Sequence, residues 1–180
     1  NCDFVLAVGR LNSIKQFDKL LDSYFNSILP QKDIKLYIMG EGGEKLRLAE
    51  KIMTLNLQAK VKLIDFQENP FKYMAKASFL ILCSKNEGFP RVILEALACG
   101  TPVISFDCKS GPNEIIQHKK NGLLVENQNF KALTEAINEL NTNTFLYDNC
   151  KINSVNSVEQ FSVNSIGKKW KVYLDELLNN

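Results

Sequence analysis

Six short, predominantly apolar runs, each followed by a stretch with helical spacing, set the fold of this 180-residue chain. They cover residues 4–8, 34–39, 61–64, 79–83, 102–106 and 122–125. Strands that are apolar at nearly every position are buried on both faces, and strands that alternate with helices pair in parallel. The expected fold is an α/β doubly wound parallel β-sheet of about six strands with helices on both faces, a Rossmann-like unit. Such sheets bind ligands at the carboxyl ends of their strands. Three polar stretches lie there: Gly9-Arg10, residues 40–43 and residues 84–89.

The intervening helices carry their apolar residues at positions three and four apart. The first holds Ile14, Phe17, Leu20, Leu21, Tyr24, Phe25 and Ile28; the second, residues 44–56, holds Leu46, Leu48, Ala49, Ile52 and Met53. Short helices are expected over residues 71–77 and from Gly111-Pro112-Asn113-Glu114, and an amphipathic one over 130–140. Residues 144–178 read as two helices, the last with Ile166, Trp170, Tyr173, Leu174 and Leu177 on one face. The length suits one domain over residues 1–180, with no repeat or linker.

The most informative stretch is residues 83–105. It reads as a strand end, a polar loop, a helix and the next strand. Pro90 suits the first helical position, where its missing N–H costs nothing. Gly100 suits the left-handed position after the helix, and Pro102 stops continuation. Val92, Ile93, Leu94, Ala96, Leu97 and Ala98 make the helix apolar almost all round, so burial on all sides is expected. Glu95 breaks that pattern. An unpaired buried charge is costly, so its carboxylate must reach water, a donor or a ligand. It lies roughly 7–8 Å along the axis from Pro90, and Glu87 stands just before the helix. The unpaired N-terminal amides lie between these two acids, at the positive end of the helix dipole. This is an anion site with an acceptor on either side, matching a ligand with a negative centre and hydroxyl-rich ends. From these residues alone a structural reading stays open: Glu87 as a helix-proximal acid and Glu95 as an ion-pair partner.

After the first strand, Gly9 allows close backbone approach, and Arg10 and Lys15 add two cations. Cations near a helix start oppose its dipole, so a bound diphosphate explains them better than helix stability does. A solvated basic pair remains the plain alternative. Gly40-Glu41-Gly42-Gly43 is an incomplete form of the dinucleotide fingerprint, with an acid inside the loop, which argues against nicotinamide binding. Asn69-Pro70 reads as a turn, Glu114 as a first-turn acid and His118, the only histidine, as a surface residue.

Composition narrows the classes. A net charge of +2 gives no reason to expect nucleic acid or an anionic membrane as a general partner. The five cysteines (Cys2, Cys83, Cys99, Cys108, Cys150) have no C-x-x-C spacing; with no zinc pattern, Cys83 and Cys99 read as small core residues. No apolar run is long enough for a transmembrane segment.

Taken in order, Gly9-Arg10-Leu11…Lys15, Gly40-Glu41-Gly42, Asn69-Pro70, Glu87-Gly88-Phe89-Pro90…Glu95-Ala96-Leu97-Ala98-Cys99-Gly100-Thr101-Pro102-Val103-Ile104 and Gly111-Pro112-Asn113-Glu114 form a specific set. Over essentially the whole chain it resembles the C-terminal donor-binding half of retaining family-4 glycosyltransferases with the GT-B fold. The closest resemblance is to enzymes building bacterial surface polysaccharide, lipopolysaccharide, capsule or lipid-linked oligosaccharide. The resemblance implies a nucleotide-sugar donor, a UDP- or GDP-sugar, and transfer with retention of configuration. It implies that Arg10 and Lys15 hold the diphosphate, Glu87 the hydroxyls of the transferred sugar and Glu95 the ribose. Gly88, Phe89 and Pro90 would lie against sugar and phosphates, with the Arg91 and Val92 amides near the phosphates and Gly9 close by. The nucleobase would pack near residues 64–67, beside Asp65 and Phe66. Asp65 departs from the family pattern, in which glycine often follows this strand, and Arg91 stands where a small or apolar residue is common.

The family usually works without a metal, so no cofactor is expected. Its enzymes have a second, N-terminal half that binds the acceptor glycan or glycolipid. That half is absent from this chain, so the chain alone should bind donor without transferring sugar. A cytoplasmic location follows, with the full-length protein peripheral at the inner membrane face. An exposed apolar patch at Trp170, Tyr173 and Leu177 is expected where the missing half would pack. Two other readings are a GT-B nucleotide-sugar epimerase, which would need further acid/base residues, and a non-catalytic nucleotide-binding module.

Overall fold

The computed structural model describes residues 4–178. Its centre is a sheet of β1 (Phe4–Val8), β2 (Lys35–Met39), β3 (Val61–Ile64), β4 (Leu80–Leu82), β5 (Val103–Asp107) and β6 (Gly122–Glu126). The spatial order is β3-β2-β1-β4-β5-β6, and every pairing between neighbours is parallel. The expected doubly wound architecture is what the chain adopts.

Crossover helices connect the strands. They are α1 (Phe17–Phe25), α2 (Lys45–Thr54), α3 (Phe71–Met74), α4 (Arg91–Ala98) and α5 (Pro112–Ile115), followed after β6 by α6 (Phe130–Thr142). Successive strand residues point to opposite faces, which splits the core in two. On one face Val5, Ala7, Ile38 and Ile81 pack with Phe17, Leu20 and Leu21 of α1 and Leu133 and Ile137 of α6. On the other, Leu6, Leu80 and Leu82 pack with Met74 of α3 and Ile93, Ala96 and Leu97 of α4. Cys83 and Cys150 fill gaps in the first layer. Burial pushes the Cys83 thiol up to about 12 and the Cys150 thiol up to about 11. Cys83 therefore behaves as the small core residue its segment suggests. Cys99 is only half-buried.

Three local expectations need correction. Ile14 is not part of the first helix: Gln16 adopts a left-handed conformation (φ 52°), the helix begins at Phe17, and Ile14 is 48% exposed. The backbone of residues 9–15 is committed elsewhere. The Leu11 N–H donates to Glu41 O at 2.7 Å, and Ile14 O accepts from Lys85 N–H at 2.8 Å. Second, Pro90 is the cap before α4 rather than its first residue, because its ψ of 86° lies outside the helical range. Third, α4 is not buried all round. Ile93, Ala96 and Leu97 face the sheet, Leu94 is half-covered and Ala98 is exposed. On α2 only Leu48 and Ile52 are buried, while Leu46 and Met53 face solvent at the edge of the sheet.

The end of α4 follows the sequence closely. Gly100 is left-handed (φ 75°), its N–H donates to Leu97 O at 2.9 Å, and the Thr101 N–H donates to Ala96 O at 3.0 Å. These are the two bonds of a Schellman motif. Gly111 (φ 91°) serves a different purpose. A Cβ there would stand 2.4 Å from Pro90 Cδ and 2.6 Å from Gly88 O, so the loop before α5 fits against the loop before α4 only with glycine.

The C-terminal segment forms α7 (Thr144–Ser157), a single 3₁₀ turn (Glu159–Phe161) and α8 (Val163–Leu178). No residue of α8 is buried, and Trp170, Tyr173 and Leu177 are 59%, 54% and 57% exposed. The expected apolar patch is present.

Two outcomes test this packing. Gly111→Ala should lower stability by about 2 kcal/mol, read from urea denaturation, because strain and overlap act together. The buried Tyr24 hydroxyl donates to Ile34 O at 2.8 Å, and burial, aided by the Asp33 carboxylate, raises its pKa well above the usual phenol range. The folded state thus favours the protonated phenol. That stabilisation is complete below the unfolded value of about 10 and is lost as pH rises above it. Tyr24→Phe should cost about 1 kcal/mol at pH 7 and show a shallower fall in stability above pH 10 than the unsubstituted chain.

Candidate functional site

The strand order reverses between β1 and β4, and the loops after these two strands open into a crevice at the carboxyl edge of the sheet. After β1, the Gly9 N–H donates to Met39 O at 3.0 Å, which extends the β1–β2 pairing. The chain then turns so that the Lys15 side chain folds back over Gly9. A Cβ on Gly9 would sit 3.1 Å from Lys15 Cε, so the stem of Lys15 occupies the space that glycine leaves.

Lys15 Nζ reaches the loop after β4 and pairs with Glu87 Oε1 at 2.5 Å. The two side chains are only 20% and 12% exposed. Glu87 is itself anchored, since its main-chain carbonyl accepts from Ser110 Oγ at 2.9 Å. The two residues that the pattern placed separately around a ligand are thus brought into direct contact. At the end of β4, Ser84 is 2% exposed and its Oγ has no hydrogen-bond partner among the described residues. Arg10, on the same loop after β1 as Lys15, is exposed and joins no ion pair among the described residues.

The start of α4 lies on the same loop. No side chain caps it, so the first amides, those of Arg91 and Val92, have no intrahelical acceptor and face the loop at the positive end of the dipole. Gly88 is exposed, with open space where a Cβ would stand. Phe89 is 47% exposed and its ring lies 5.8 Å from that of Phe161. Arg91 is exposed and Val92 half-buried.

Glu95 sits on the flank of α4 in a groove of about 390 Å³, with Phe71, Leu94, Val158 and Phe161 among its lining. Its carboxylate makes no ion pair among the described residues, so the ion-pair reading finds no partner. Glu159 lines the same groove.

A second recess, about 340 Å³, opens at the ends of β1, β2 and β3. Gly9, Arg10, Gly40, Glu41, Phe66 and Gln67 line it. Gly40 (φ 147°) lets these strand ends approach, since a Cβ there would stand 2.0 Å from Gly9 O. The glycines that resemble an incomplete dinucleotide fingerprint therefore serve at least one structural role, seating the β2 loop against the β1 loop. Phe66 is 66% exposed on the rim, and the Gln67 amide nitrogen donates to the Asp65 and Phe66 carbonyls at 3.3 and 3.1 Å. Asp65 itself is exposed and pairs with Lys45 instead of lining the recess. Glu41 and Gln67 fall within the expected stretches 40–43 and 64–67, but neither was singled out as a donor-binding residue. Their one signal is position, immediately after the second and third strands. His118 and Glu114 have structural partners: His118 Nδ1 accepts from the Leu124 N–H, and the Glu114 carboxylate accepts from the Gly111 N–H.

Chemically, the loops after β1 and β4 together with α4 offer two cations, a row of free amides and two carboxylates. That set fits an anion flanked by hydroxyl groups. Among the described residues no group of three or more His, Cys, Asp or Glu is arranged to hold a metal ion.

Comparison with known proteins bears on the family and the fold. Residues 2–156 match the family model described as glycosyl transferases group 1. The chain is 41% identical over 134 residues to an N-acetylgalactosamine-N,N'-diacetylbacillosaminyl-diphospho-undecaprenol 4-alpha-N-acetylgalactosaminyltransferase of Campylobacter jejuni, covering 74% of this chain and 36% of that protein. It is 34% identical over 171 residues to the amylovoran biosynthesis glycosyltransferase AmsD of Erwinia amylovora, covering 95% and 48%. Among solved structures, S. aureus TarM with fondaparinux, alpha-GlcNAc-glycerol and UDP superposes with a TM-score of 0.86 at 29% identity, over 93% of this chain and 34% of that one. Anabaena HepE with UDP gives a TM-score of 0.89 at 25% identity, over 98% and 49%. The chain spans less than half the length of each of these relatives. The ordered motifs, the sheet topology and these matches together make the chain a member of the group 1 glycosyl transferases, with the fold of one half of a GT-B enzyme.

Proposed function

We propose that this chain is the donor-binding half of a retaining glycosyltransferase that acts in cell-surface polysaccharide or glycolipid biosynthesis. The observation that carries the reading is the meeting of Lys15 and Glu87 at the point of strand reversal, with Arg10 on the Lys15 loop and an uncapped helix start following Glu87. The donor is a nucleotide-diphosphate sugar. Its diphosphate lies over Arg10, Lys15 and the first amides of α4, its ribose hydroxyls donate to Glu95, and its base enters the recess between Phe66, Gln67 and Gly40. The relatives solved with UDP support UDP over GDP as the nucleotide.

As the glycosidic bond to the diphosphate breaks, negative charge grows on the leaving oxygen. Arg10, Lys15 and the amides are already in place to stabilise it. Glu87 accepts from hydroxyls of the transferred sugar and orients it for attack from the face that the nucleotide leaves. With two cations and a helix start at the diphosphate, no metal is needed for charge balance.

A second, N-terminal half would bind the acceptor glycan or glycolipid and cover the exposed apolar face of α8. No helix of the described residues is long and apolar enough to cross a membrane. The proposed working place is the cytoplasm, at the inner face of the membrane, where such acceptors are built.

Calorimetric titration of the chain with UDP, GDP and NAD tests the reading. One nucleoside diphosphate should bind saturably, and Arg10→Ala and Glu95→Ala should each weaken it about tenfold or more, as expected for a lost charged hydrogen bond. Binding of NAD alone would overturn it.

A further inference from the structure

Resting on the donor-site reading above, we infer that Glu87 also acts as a release device: once the sugar has gone, its carboxylate reclaims Lys15 and displaces the spent nucleoside diphosphate. The starting observation is that Lys15 Nζ lies 2.5 Å from Glu87 Oε1, with both side chains largely shielded from solvent. The cation assigned to the diphosphate is therefore held by a competing anion.

Charge balance gives this contact its direction. Arg10 and Lys15 supply two positive charges, which match the two negative charges of a diphosphate diester. That match holds only while Glu87 is turned to the sugar hydroxyls, which donate to it. After transfer the hydroxyls are gone, and the terminal phosphate carries further negative charge close to an unpartnered carboxylate. Two anions then compete for one ammonium group in a partly buried site, where screening is weak.

The surroundings keep that competition local. Glu87 cannot retreat with its loop, because Ser110 Oγ holds its carbonyl and Gly111 packs beneath Gly88 and Pro90. Lys15 is confined as well: its stem lies over Gly9 and its N–H donates to the Asn12 side chain at 3.2 Å. Its ammonium can swing between two acceptors, but the stem stays in place. A pair this shielded attracts more strongly than a surface pair, but desolvating both groups offsets much of that gain, so it shifts an affinity several-fold while leaving the donor able to bind.

A double-mutant cycle read by UDP titration tests the inference. Glu87→Gln keeps the shape and removes the charge, so UDP should bind about fivefold or more tightly than to the unsubstituted chain. Lys15→Met should weaken UDP, and adding Glu87→Gln to it should give no gain, because the competition runs through Lys15. Uridine, which has no phosphate, should bind the Glu87→Gln and unsubstituted chains equally. If UDP binds the unsubstituted chain but Glu87→Gln leaves its affinity unchanged or lower, the release role falls and the donor-site reading stands. A full gain in the Lys15→Met background would also overturn it, by showing direct repulsion instead. If neither UDP nor GDP binds any of the chains, the donor-site reading falls and takes this inference with it.

Discussion

The reversal of strand order between β1 and β4 is the constraint on which the rest of the structure depends. Parallel neighbours cannot be joined by tight turns, so each connection climbs over a face of the sheet. The chain builds outward from β1 through β2 and β3, then returns to build outward on the other side from β4. Since crossovers keep one hand, the two halves place their helices on opposite faces, and the loops leaving β1 and β4 part from each other. The gap is filled by side chains that have no local reason to be where they are. Lys15 and Glu87, separated by 72 positions in sequence, close it with one ion pair.

That distance in sequence explains what could and could not be read in advance. All six strands were legible because most of their residues are buried, which leaves a largely apolar signature, interrupted at Lys35 in β2 and at Lys62 in β3. The end of α4 was legible because a left-handed residue there requires Gly100, and the apolar face of α8 because its spacing is regular. The placement of Ile14 was not. Its apolar side chain continues the period of α1, but hydrogen bonds from the β2 and β4 loops hold its backbone out of the helix. The stretches at residues 40–43 and 64–67 could be singled out as strand ends, but that Gly40, Glu41 and Gln67 line one recess could not, because they come from different loops and share no period. The two carboxylates and two cations could be singled out by chemical type, but the pairing of Lys15 with Glu87 could not.

The helix α4 shows how a single element meets opposing demands. Its sheet face is apolar and buried, its start is left without a cap, and its flank carries Glu95 beside a groove lined mainly by apolar groups. Each of these features alone is ordinary or mildly unfavourable. Together they give a rigid support that presents free amides at one end and a carboxylate on its side, both fixed by the same packing of Ile93, Ala96 and Leu97. Stability is drawn from the sheet face so that the exposed edges can be left for recognition.

The contact of Gly111 with Gly88 and Pro90 has an evolutionary consequence. The two loops occupy one shared volume, so their residues cannot drift independently. A lineage that acquires a side chain at position 111 must first open the turn at 88–90, the stretch nearest the proposed sugar. Variation in the loop before α5 is thereby converted into variation of the pocket itself, giving such a fold a route to a new sugar through a residue that need never touch one.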